Sequence, residues 1–165
     1  MIRIELKEDG ISEGLNRLVR ALSDLSQPMA DIGEGLLHST NERFKTGTAP
    51  DGSPWAPKSP VTLARYADQG TPGLTSPLIG PSKRLSTTIS VESGADFVTI
   101  GSNAIQSAVM QFGAAQGAFG ATGRGGPIPW GDIPARPYLG LSAEDRSMVL
   151  DVIAEWLEDV AGETS

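Results

Sequence analysis

Apolar and polar residues along this chain follow two rhythms in turn. Ile2, Ile4 and Leu6 alternate with Arg3, Glu5 and Lys7, the period of two that marks a half-buried strand. Asp9-Gly10 ends that strand. The spacing then changes to that of a helix: Ile11, Leu15, Leu18, Val19, Leu22 and Leu25 form one stripe and predict a helix over 11–26. Pro28 interrupts it. A second helix is predicted over 28–45, with Met29, Ile32, Leu36, Leu37, Thr40 and Phe44 on its apolar face. Gly33 and Gly35 weaken it by about 1 kcal/mol each relative to alanine, so the pattern implies tight packing against a neighbour. Gly47 is the expected stop.

Punctuation dominates the next segment. Pro50-Asp51-Gly52 is a turn signal, because proline presets one dihedral and glycine supplies a positive one. Trp55 follows among prolines and is expected to pin this loop to the body. Ser59 and Pro60 read as the N-cap and first residue of a short helix, and residues 68–83 read as loop. Strands are predicted over 87–93 and 97–101, joined at Gly94-Ala95-Asp96. The stretch 102–113 reads as a helix with Ala104, Ile105, Ala108, Val109 and Phe112 apolar. Residues 113–126 hold six glycines and no periodicity. A loop of that length is usually functional or disordered until bound. Residues 127–141 are proline-rich, and proline should hold them extended and stiff. The last helix is predicted over 142–160. Ser142 caps it with Asp145 three residues on, and Val149, Val152, Ile153, Trp156 and Val160 form its core stripe. The sum is an α+β fold: a small antiparallel sheet packed against several α-helices, with long Gly/Pro-rich loops. It reads as one domain over 1–165, with a glycine-rich loop at 113–126 and a proline-rich arm at 127–141.

Composition narrows the class. The chain has 165 residues, no cysteine and a net charge of −7. A disulfide framework or a thiolate zinc site is therefore excluded. No apolar run reaches the roughly 20 residues of a membrane span, and the N-terminus lacks the apolar core of a signal peptide, so the expectation is a soluble, intracellular product with no membrane partner. The acidic balance argues against a protein that coats nucleic acid. Residues 142–165 carry seven acids and one base. That acidic face, with Asp151, Glu155, Glu158 and Asp159, is either a solvated exterior or the lining of a lumen through which DNA passes.

Candidate chemistry is sparse. His38 is the only histidine, and a lone histidine on a helix is more often an ordinary surface residue than a catalyst. Asp151 and Glu155 lie one turn apart, the spacing of a solvated acidic face more often than of an acid/base pair. The run around Gly120–Pro127 lacks the Gly-Lys-Ser/Thr ending of a phosphate loop. The expectation is no catalytic residue, no metal and no cofactor. Arg124 and Arg136 are the cations of 97–141, and either could meet a phosphate or a neighbouring subunit. Arg136, held between Pro134 and Pro137, should have an extended backbone and aim its planar fork in one direction, with Tyr138 as an aromatic anchor beside it. The alternative is internal: Arg136 bonds the chain's own last helix and Tyr138 is core.

Three segments, taken in order, resemble the successive signatures of the Mu-like phage virion morphogenesis family, also described as tail completion proteins. They are RFKTGTAPDGSPWAPKSPVT (Arg43–Thr62), AVMQFGA (Ala108–Ala114) and IPARPYLGLSAEDR (Ile133–Arg146). The resemblance runs from about Gly14 to Trp156, and it departs at Pro81-Ser82 and Val109-Met110. It implies a non-enzymatic structural protein of the head–tail junction, a tail completion or neck component. It would assemble in the host cytoplasm into a homo-oligomeric ring, a hexamer favoured over a dodecamer, and end in the virion. The implied partners are other tail or connector proteins, with packaged DNA passing through without sequence-specific binding. Trp55, Phe112, Arg124, Trp130, Arg136, Tyr138 and Leu139 are the expected interface residues. The contrasting class is a small hydrolase or binding module that shares only loop composition.

Overall fold

The computed structural model describes residues 9–162, so the strand expected over 2–7 lies outside the described residues. Helix α1 (Asp9–Leu22) is followed by α2 (Ser26–Thr46), which ends where glycine permits a left-handed turn. Gly47 takes φ +74° and its N–H bonds the Arg43 carbonyl at 2.8 Å. Helix α3 (Pro60–Asp68) starts as its sequence dictates, with Ser59 Oγ accepting the Thr62 N–H. A single turn, α4 (Arg84–Thr87), leads into β1 (Ile89–Ser93), which pairs antiparallel with β2 (Val98–Ser102) in the register Ser93↔Val98 to Ile89↔Ser102. Helix α5 (Ser107–Phe112) and the C-terminal α6 (Ala143–Gly162) complete the order. The fold is α+β, as the two periodicities imply.

Helix α2 is the organising element, touching both strands on one side and α6 on another. Gly33 is what lets it lie so close to the sheet, and Gly35 faces the flexible end of an α6 side chain. A Cβ on Gly33 would lie 2.6 Å from Val91 Cγ1 and 3.2 Å from Val98 Cγ2, and one on Gly35 would lie 2.7 Å from Met148 Cε. A cluster of buried side chains gathers around the C-terminal end of α2: Phe44, Ala49, Trp55, Leu78, Leu85, Ala104 and Tyr138. Phe44 packs edge-on to Trp55 (centroids 5.6 Å apart) and tilted against Tyr138 (5.4 Å).

Three expectations change in the structure. First, the apolar stripe of α1 does not cover the sheet. Helix α1 packs on α6 and leaves Ile11, Leu15, Val19 and Leu22 exposed. Second, the helix expected over 102–113 is confined to Ser107–Phe112. Ser102 still belongs to β2, and its hydroxyl takes the Ala104 N–H, which holds the chain in a turn. Ile105 and Phe112 consequently face outward. Third, the glycine-rich segment and the following prolines pair with each other. Ala114 bridges Ile133 and Ala121 bridges Pro127, with Phe119 and Gly120 bonding Ile128 at 2.8 Å each. Gly117, Gly120 and Gly125 take positive φ in this excursion, so the glycines there build turns.

Candidate assembly surface

The proline-rich arm is threaded through the body of its own chain. From Arg136 to Gly140 nearly every main-chain polar group has a side-chain or backbone partner. Arg136 N–H donates to the Met110 carbonyl (2.8 Å). Gln111 Oε1 accepts from both Tyr138 and Leu139 N–H (3.0 Å each), and its amide nitrogen donates to the Leu139 carbonyl (2.9 Å). Trp55 Nε1 donates to the Pro137 carbonyl (2.7 Å). Arg43 Nη1 donates to the carbonyls of Tyr138 (3.0 Å) and Gly140 (2.9 Å). Extended backbone has no internal hydrogen bonds, so burying it requires such partners from elsewhere. Gly113 completes the cradle: a Cβ there would lie 2.7 Å from the Ile133 carbonyl oxygen and 2.8 Å from Ala135 N.

Arg43 also closes the cradle onto α6. Its Nη2 pairs with Asp145 and donates to Ser39 Oγ (3.1 Å). Asp145 is simultaneously half of a reciprocal cap. The Ser142 N–H donates to Asp145 Oδ2 (2.8 Å), and the Asp145 N–H to Ser142 Oγ (3.0 Å). Burial pushes the Asp145 carboxyl up. Hydrogen bonds from Ser39 and the Ser142 N–H, with the Arg43 charge, outweigh that and hold it below the usual aspartate value.

The expected interface residues divide into two sets. Trp55, Tyr138 and Leu139 belong to the interior cradle, and Tyr138 is fully buried (0% exposed), its phenol pushed up by burial. Arg136 is also interior. Its Nε and Nη2 donate to the carbonyls of Ala56 (2.7 Å) and Pro57 (2.8 Å), not to the last helix. Arg43, from α2, does reach the last helix, where it pairs with Asp145. Phe112 (78% exposed), Trp130 (77%) and Arg124 lie on the surface, the last near the tip of the 114–133 excursion. His38 is exposed on α2. Sequence reasoning missed Arg43, Gln111 and Lys58. Arg43 carried a signal: it sits within the apolar stripe of α2, beside Thr40 and Phe44, where a cation needs a buried partner. Lys58 is buried and donates to the carbonyls of Leu74 and Ile79 (2.6 Å to the latter).

The fold is a small α+β one in which buried charges fix the main chain and several aromatic residues face outward. Residues 6–158 match the phage virion morphogenesis family, and the chain belongs to that family. It is 31% identical over 151 residues to the "Putative capsid assembly protein G" of Escherichia phage Mu, covering 87% of this chain and 90% of that protein. No solved structure matches it. The chain is accordingly a phage virion assembly protein, in a family of morphogenesis proteins that is not a known enzyme class. Among the described residues no helix is long and apolar enough to cross a membrane.

Proposed function

We propose that this chain acts at the head–tail junction, as a tail completion or neck component that assembles into a ring without catalysing a reaction. The family match over 6–158 carries the reading. The three signature segments support it, since they are the ones that meet around the arm. Arg43, Trp55, Gln111, Gly113 and Arg136 all build one cradle, so the motif specifies a rigid subunit shape. Rigid shape suits a part whose work is to be added to a particle. Exposed Phe112, Phe119 and Trp130, with the outward stripe of α1, supply apolar surface for contacts between proteins. Deleting the gene in the phage that encodes it and imaging the particles tests the reading. The expected result is filled heads and separate or misterminated tails that fail to join. Intact virions would overturn it. So would a block before any head forms, which would shift the role to the capsid assembly named for the Mu relative.

A further inference from the structure

Lys58 and Arg136 are 8% and 6% exposed, and neither has a carboxylate within ion-pair distance among the described residues. Both line one cleft of about 360 Å³, with Ser59, Thr62, Arg65 and Tyr66. Buried charges are ordinarily paired, and here the partners are main-chain carbonyls: Leu74 and Ile79 for Lys58, Ala56 and Pro57 for Arg136. Those dipoles leave two net positive charges in place. The Tyr66 ring, 4.7 Å from Lys58 Nζ, offsets them in part. Burial pushes the Lys58 ammonium below its ordinary value, and the Arg136 charge adds to the effect. Arg136 Nη1 has no hydrogen-bond partner among the described residues, and it is not sealed in protein. Arg65 stands exposed at the mouth. Asp132 also lines the cleft, but it is exposed, accepts the Gln116 N–H at 2.8 Å and pairs with no cation among the described residues.

The complementary surface is on the same chain and is no part of this cleft. Asp151, Glu155, Glu158 and Asp159 are exposed on α6, and none is in an ion pair with a described residue. No α6 residue lines the cleft. We propose that the Lys58–Arg136 cleft is a carboxylate socket filled by the acidic face of α6 from a second copy of this chain. A fork with a free N–H and an ammonium beside it suit a carboxylate oxygen pair. Because socket and acidic face are different patches, the contact is head-to-tail, and repeating it generates a ring or a helix of subunits. This inference rests on the ring reading above and names the contact that would build it.

Sedimentation of the full-length protein tests the contact. The wild type should self-associate at about 50 mM salt and lose about tenfold in affinity at about 500 mM, as screening requires. Arg65→Glu, and separately Glu155→Lys with Glu158→Lys, change exposed residues and should leave the circular dichroism melt unchanged. Each should weaken self-association about tenfold or more. Mixing the two variants should restore one contact and give a heterodimer that grows no further, because the intact socket of one meets the intact α6 face of the other while the remaining socket and face are both altered. Variants that assemble like the wild type, or a mixture that stays dissociated, would overturn the socket. So would a wild type that remains monomeric at low salt, or duplex DNA binding that Arg65→Glu abolishes while self-association stays intact. Particles that incorporate the α6 variant normally would sink the socket and leave the junction role standing. A deletion with intact virions would sink the role itself.

Discussion

Arg43 and Asp145 lie 102 residues apart in sequence and meet with almost no exposure to water. Removing one charge of such a pair leaves the other buried and unmatched, at a cost of roughly 3–5 kcal/mol. Asp145→Asn should therefore lower the melting temperature far more than Ser142→Ala, which loses only a cap worth about 1 kcal/mol. Chemical denaturation of both variants checks the order. The pair also sets an acid limit. The folded-state pKa of Asp145 is depressed, so its contribution is fully present above the unfolded value of about 3.9. It fades as pH falls below that value and through the folded-state pKa. Melting temperature against pH should show an acid-side decline that is shallower in Asp145→Asn; identical slopes would contradict the assignment.

Among elements, the glycines of α2 face different neighbours, and their replacements should diverge. Gly33 meets Val91 and Val98 on the sheet, β-branched side chains with little rotamer freedom. Gly33→Ala should destabilise by roughly 1–3 kcal/mol, as overpacking does. Gly35 meets the flexible end of Met148 and can gain up to about 1 kcal/mol of helix propensity, so Gly35→Ala should be near neutral or stabilising. Gly113→Ala should be the most severe of the three. Its φ is +75° and its neighbours are main-chain atoms that cannot rotate aside. Thermal melts rank the three directly. These elements also show what a sequence reader can see. The 3.6 and 2.0 periods located α2, α6, β1 and β2 within a few residues, because local sequence sets which face is apolar. The outward stripe of α1 was illegible, since a stripe says that a face is apolar and not what covers it. The 114–133 pairing was hidden as well. Its hydrogen bonds run through glycine and proline positions without alternation, leaving no period to detect.

At the scale of the whole molecule, the cradle is assembled from three distant parts: the end of α2 with the following loop, α5, and the arm before α6. Sequence marked the loop after α2 and the arm by their prolines and read α5 as an ordinary helix, and the family resemblance tied the three together. It did not reveal that they converge, because convergence depends on contacts between residues about 30 to 100 positions apart, which no local pattern encodes. The exposed stripe of α1 and the acidic face of α6 are two features that this interior leaves unused. Replacing Leu15 and Val19 with serine should leave stability within about 0.5 kcal/mol, since exposed positions rarely exceed that. If α1 contributes to assembly, the same variant should reduce incorporation into particles. A large drop in melting temperature would show instead that the stripe is packed within the subunit.

Long separation between the two halves of the cradle also has a consequence in time. Phe44 leaves the ribosome well before Tyr138, the residue it packs against. At a synthesis rate of roughly 5–20 residues per second, the 94 positions that separate them take about 5 to 20 seconds. Through that interval Arg43 has no carbonyls from the arm to bond, and the aromatic cluster lacks its most buried member. A nascent chain is thus withheld from its final shape until nearly all of it has been made. Incomplete subunits cannot present finished surfaces to a growing particle, so translation itself acts as a timer on assembly. A chain stopped before Ile133 should stay sensitive to protease and show no cooperative melt, while extension through Gly162 should confer both resistance and cooperativity.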